Sequence, residues 1–147
     1  MEEIEDTLTV DGEKLKKGLD ELVTVGIYVG FKAGEKFEEN GVDVVDVAYR
    51  NEFGDDRVPS RPFMAQTVDN REPEIMGIVK KSITENDDIN EIARLIGEGV
   101  ALLMKDEIET GNFVPNAPST IARKGSDKPL IDTGTMRDSI MHWTEKG

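Results

Sequence analysis

Apolar positions along the chain fall into blocks separated by charged or glycine-containing stretches. In residues 11–22, DGEKLKKGLDEL, the leucines Leu15, Leu19 and Leu22 repeat at four and three, which predicts a short helix. Asp11 can cap it, and Gly18 weakens it. Residues 24–31, TVGIYVGF, alternate Val25, Ile27, Val29 and Phe31 against Thr24, Gly26, Tyr28 and Gly30, the pattern of a half-buried strand. Residues 32–41 are polar and glycine-containing and read as a loop. Over residues 42–53, Val44, Val45, Ala48, Tyr49, Glu52 and Phe53 share one helical face, so helix is predicted despite the β preference of valine. Gly54 then stands at the helix stop, and Phe53 closes the apolar face.

The pattern then changes. Pro59 and Pro62 make residues 55–63 extended and stiff. Residues 64–84 read as a long helix with Val68, Ile75, Ile78 and Val79 among its apolar positions, interrupted by Pro73. Residues 85–88, ENDD, break it, and Asp87 or Asp88 can cap the next helix. The strongest periodicity lies in residues 89–111, where Ile89, Ile92, Ala93, Ile96, Val100, Leu103 and Met104 form a stripe that Gly111 ends. Residues 112–130 are rich in Pro, Gly, Ser and Asn and read as an extended loop or arm, in which Ser119 can cap one helical turn. Asp132 and Thr133 can cap a short helix over residues 135–139, and residues 140–144 read as a final strand. The sum is a single α+β domain over 1–147, with an acidic N-terminal segment at 1–10. A small antiparallel sheet packs against a few helices, and the arm extends near the C-terminus.

Composition narrows what such a domain does. Hydrophobic residues make up 37% of 147 and aromatics 5%, below the apolar share of about 45–50% usual in soluble domains. Either the core is small and flanked by polar segments, or neighbouring subunits complete it. The net charge is -13, which disfavours nucleic-acid backbone binding through the whole surface. Residues 1–117 hold 27 acidic and 13 basic residues, whereas residues 118–147 hold 4 and 5. Patches of unlike charge on one chain suit head-to-tail packing of identical subunits. No apolar run approaches the roughly 18 residues of a membrane span. The first ten residues, MEEIEDTLTV, lack the basic and apolar regions of a secretory signal, so the expected home is the cytoplasm of the producing cell or a particle assembled there.

Candidate chemistry is sparse. The chain has no cysteine, which excludes disulfides and thiolate chemistry, and its one histidine excludes a multi-histidine zinc site within the chain. That histidine, His142, reads as a partly exposed sheet residue beside Trp143, not as the base of a triad. The pairs Asp55–Asp56 and Asp87–Asp88 suit solvation or capping. Phosphate-binding glycine loops and calcium-loop spacing are absent from the sequence. No cofactor or metal is expected, and enzyme readings have no converging polar groups to stand on.

Three strings in a fixed order carry a resemblance: VAYRNEFG (47–54), VPSRPFM (58–64) and APSTIARKGSDKPLIDTGTMRDSI (117–140). Together they resemble the neck and tail-completion proteins of tailed bacteriophages. In that family a helix ending in an E-F-G string leads into a P-x-R-P-F turn, and a P-L-x-D-T-G-x-L/M-R-x-S-I string comes near the C-terminus. The resemblance covers most of residues 24–140. Met136 stands where leucine is common, and an acidic stretch precedes the first strand.

The resemblance implies a structural virion protein in the neck, at the top of the tail, present in the host cytoplasm during assembly. It implies a ring of copies, six-fold by analogy with tail tubes, that joins head portal to tail. Its partners would be other neck, connector and tail-tube proteins, with DNA passing through the channel without sequence-specific binding and no membrane involved. Arg61, set between Ser60 and Pro62, suits a bidentate carboxylate contact, with Glu52 one possible partner. Subunit-interface candidates are Arg50, Glu52, Arg61, Arg123, Lys124, Asp132 and Arg137, with Arg137 on the exposed side of the short helix. Phe53, Gly54, Pro59, Pro62, Phe63, Thr133, Gly134 and Met136 suit fold maintenance: turns, caps and core aromatics. Alternatives are a tail terminator, a head-closure plug, an acidic inhibitor that mimics DNA charge, and a metal-dependent hydrolase using Glu52, Asp55 and Asp56.

Overall fold

The computed structural model describes residues 10–32, 34, 43–56, 59–111, 113 and 135–146. The elements are α1 (Val10–Leu22), β1 (Val25–Gly30), α2 (Val44–Phe53), α3 (Phe63–Asn70), α4 (Glu72–Glu85), α5 (Ile89–Thr110), α6 (Thr135–Asp138) and β2 (Met141–Lys146). Strands β1 and β2 pair in a two-stranded antiparallel sheet, and the chain is α+β. The interruption expected near Pro73 falls at Arg71, and Pro73 sits in the first turn of α4, where a missing N–H leaves no helical bond unmade. Asp11 lies inside the first turn of α1, not before it. At the start of α5, Asp88 is the capping residue: its carboxylate accepts from the Asn90 amide at 2.9 Å.

The chain divides into two compact units. The first contains α1, residues 25–29 of β1, α4, residues 89–100 of α5, and residues 142–146 of β2. Its core is Ile83, Ile92 and Ile96, against which Leu15, Leu22, Ile27, Ile78, Val79 and Val100 pack. These are the apolar stripes of three helices and the inward face of β1, so periodicity accounts for the packing directly. His142 is half-buried and lies over Gly97 of α5, where a Cβ would stand 3.0 Å from its Nδ1. On the other face of the sheet Tyr28 stacks on Trp143, with ring centroids 5.7 Å apart.

Gly18 has a structural reason beyond its helix-weakening tendency. A Cβ there would stand 2.4 Å from Cγ2 of Ile83, so the missing side chain is what lets α1 lie close on α4. Gly77, in α4, has nothing within 4 Å of the corresponding point. Gly18→Ala is therefore expected to destabilise the protein, because an overpacking cost of about 1–3 kcal/mol exceeds the helix-propensity gain of up to about 1 kcal/mol. Gly77→Ala is expected to stabilise it by about 0.5–1 kcal/mol. Urea unfolding of the pair checks the sign of each; stabilisation by both would remove the close-contact explanation.

The second unit contains α2, α3, residues 101–110 of α5, and α6. Val44, Ala48, Phe63, Thr67, Ala101, Met104, Ile108, Met136 and Ile140 are buried. Phe63 meets Phe31 edge-on, with centroids 6.0 Å apart. Asp43 caps α2 by accepting from the Val45 amide at 2.9 Å. Gly54 ends it at φ 71°, a left-handed conformation that favours glycine. One expectation is corrected here. Phe53 does not close a buried face: it is 67% exposed and Tyr49 63% exposed, because Val44 and Ala48 take the inward stripe. All of the arm at 112–130 except Phe113, and nearly all of the 1–10 segment, lie outside the described residues.

Candidate functional site

Within the second unit, the helix and turn of the first two family-like strings form one clamped piece. The carboxylate of Glu52, on the last turn of α2, accepts from the amides of Met64 at 2.8 Å and Ala65 at 3.1 Å. These are unsatisfied first-turn donors of α3, whose preceding residue Pro62 provides no side-chain cap. The helix end also favours a negative charge. Ser60 Oγ donates to the Glu52 carbonyl at 2.7 Å, and the Arg61 amide donates to the Asn51 carbonyl at 2.5 Å. Phe63 then enters the core directly after the Pro62 ring fixes the chain direction.

This changes the assignments of Glu52 and Arg61. Glu52 is a capping residue for the next helix, not a carboxylate reserved for Arg61. Arg61 is 8% exposed, so most of its side chain is covered within the chain. Burial lowers the pKa of its guanidinium, though a group so basic stays charged at neutrality. Glu52→Gln is expected to lose about 1 kcal/mol of stability, since one oxygen still accepts but the charge at the helix end is gone. A Tm unchanged by that substitution would show that the cap contributes nothing.

The third string reaches the same unit through α6, which packs on α2. Met136 is buried, and its Sδ lies 3.8 Å from Asn51 Nδ2, which also donates to the Val47 carbonyl at 3.0 Å. Arg137 pairs with Glu109 of α5 and, at 3.2 Å, with Asp138. Its charge is thus engaged by its own chain. Arg50 is exposed beside Tyr49 and Phe53, whose rings pack on each other at 4.8 Å. Arg123, Lys124, Asp132, Thr133 and Gly134 lie outside the described residues, as do the expected caps of α6.

Sequence reasoning missed a buried polar cluster in this unit. Glu107 of α5 is 3% exposed. It accepts from Gln66 Nε2 at 2.8 Å, Asn70 Nδ2 at 3.1 Å and Arg71 Nε at 2.9 Å. Arg71 also donates to Asp106 at 2.6 Å and to Thr110 Oγ1 at 3.2 Å. Burial acts to raise the Glu107 pKa, but the bonds from Gln66, Arg71 and Asn70 outweigh it and hold the carboxyl below its ordinary value. The available signal was the i, i+4 spacing of Gln66 and Asn70 on α3, with Arg71 the next residue; nothing local names their partner.

Chemical options at these positions are few. Among the described residues no group of three His, Asp or Glu side chains is placed to hold a metal, and no helix is long and apolar enough to cross a membrane. The hydrolase alternative loses Glu52 to its capping role. A cleft in the first unit, about 380 Å³, is bordered by Lys14 and Asp87, paired at 2.8 Å, and by Lys17 and Glu21 at 4.0 Å. Comparison of the chain with protein-family models, curated proteins and solved structures finds no match.

Proposed function

We propose that the chain is a structural subunit of a tailed phage or prophage virion, acting as a neck or tail-completion protein at the junction of head and tail. The observation that carries this reading is the convergence of the described residues of the three family-like strings on one packed unit. The first supplies α2 and its glycine stop, the second the turn that Glu52 locks onto α3, and the third the α6 residues Met136 and Arg137. Strings far apart in sequence thus fit together as a fold signature. A catalytic signature would instead converge on an open polar pocket.

The mechanism is assembly. Copies form a ring that joins the portal to the tail and leaves a channel for DNA. A net charge of -13 lets DNA pass such a wall without adhering to it. Deleting the gene from its phage and imaging the lysate by negative stain tests the reading. Filled heads lying beside separate tails are expected. Overlong tails would make the protein a terminator, and normal virions would remove the neck role.

A further inference from the structure

Two exposed helical stripes, one in each unit, have the same spacing and opposite charge order. On α2, Asp46, Tyr49, Arg50 and Phe53 are exposed at i, i+3, i+4 and i+7. On α1 and the residue just past it, Lys16, Leu19, Asp20 and Val23 are exposed at the same intervals, with Leu19 42% and Val23 84% accessible. Among the described residues none of these four charged side chains forms an ion pair or hydrogen bond. An open depression of about 460 Å³ borders the α1 stripe at Lys16, Asp20 and Thr24.

We propose that these stripes are the two halves of one contact between copies of this chain, α1 of one copy lying parallel to α2 of the next. In that register Asp46 faces Lys16, Arg50 faces Asp20, and Tyr49 and Phe53 lie against Leu19 and Val23. The antiparallel register sets each charge against an apolar or ring position, so the charges specify direction. Tyr and Arg at the centre of an exposed apolar stripe match the composition of interface hot spots. The occupant is a second copy because the complementary stripe is on this chain, and its charge match acts against the repulsion between two bodies of net charge -13. The two halves differ, so the contact is heterologous. Each copy then offers a free stripe to the next, and the series closes into a ring where the rotation permits. The inference rests on the ring reading and adds to it the surface through which the ring forms.

The test is sedimentation velocity on the full chain over a concentration series, with circular dichroism to confirm folding. Wild-type protein is expected to self-associate. Arg50→Glu and Asp20→Arg, each on an exposed helix face, are expected to leave the fold intact and weaken association at least about tenfold. An equal mixture of the two variants is expected to recover it, because each variant then meets a complementary stripe on the other. Wild-type protein that stays monomeric overturns the contact and leaves the stripes to a different partner. Oligomers indifferent to both substitutions, or a mixture without recovery, overturn it while leaving the ring itself standing. The gene-deletion phenotype judges the neck role separately.

Discussion

Phe63→Ala is expected to cost about 3–5 kcal/mol of stability, among the largest effects of any single truncation at the described residues. Phe63 is fully buried and is among the largest side chains in that state. Its ring makes an edge contact with Phe31 at an interplanar angle of 80°, an arrangement worth about 0.5–1.5 kcal/mol beyond area burial. The residue also opens α3, where Pro62 precedes it and Glu52 holds the next two amides, so the backbone is poorly placed to collapse into the void. Urea unfolding followed by circular dichroism measures the loss. The control is Phe53→Ala, in the other phenylalanine-bearing string. That ring is 67% exposed, and its removal is expected to change stability by no more than about 0.5 kcal/mol. Equal losses at both positions would mean that the two rings share a core, contrary to their burial.

The contrast between these two phenylalanines marks how far sequence carries. The helix over 44–53 was legible, because its apolar residues recur at helical spacing and glycine comes next. Its buried side was not. Val44 with Ala48, and Tyr49 with Phe53, are neighbouring stripes of one helix, and periodicity does not say which one meets the core. Aromatic size argues for the wrong one. Helix α5 was legible end to end because its stripe persists over 22 residues, leaving one consistent inward face. Gly18 shows a different limit: propensity gives only its cost, while the reason for it, a 2.4 Å approach to Ile83, exists only after α1 and α4 dock. Glu52 reads as part of a helix face until the next turn of chain brings two amides to its carboxylate. The polar cluster at Glu107 was the least legible. An acid late in a helix ordinarily faces water, and its three donors come from residues 36 to 41 positions away.

Glu107→Ala is therefore expected to be nearly as damaging as loss of Phe63, at about 3–5 kcal/mol. Truncation leaves Gln66, Asn70 and the Nε of Arg71 without their common acceptor, and the Arg71 side chain is itself only 17% exposed, with Asp106 still paired to its Nη2. Glu107→Gln keeps the shape and one acceptor oxygen but removes the charge opposite Arg71, and the expected loss falls to about 1.5–3 kcal/mol. The charge difference also has a pH signature. The folded-state pKa of Glu107 lies below its ordinary value, so unfolded chain takes up the proton first as pH falls. Its contribution is complete above the ordinary carboxylate range and is lost as pH drops through that range to the depressed folded value. The amide in Glu107→Gln does not titrate. Wild type and variant should thus differ most near neutrality and converge in acid, with urea midpoints drawing together as pH falls through and below the ordinary carboxylate range. A gap that stays constant across that interval would show that the charge on Glu107 adds nothing to the cluster, leaving only its hydrogen bonds and shape to join α3 to α5.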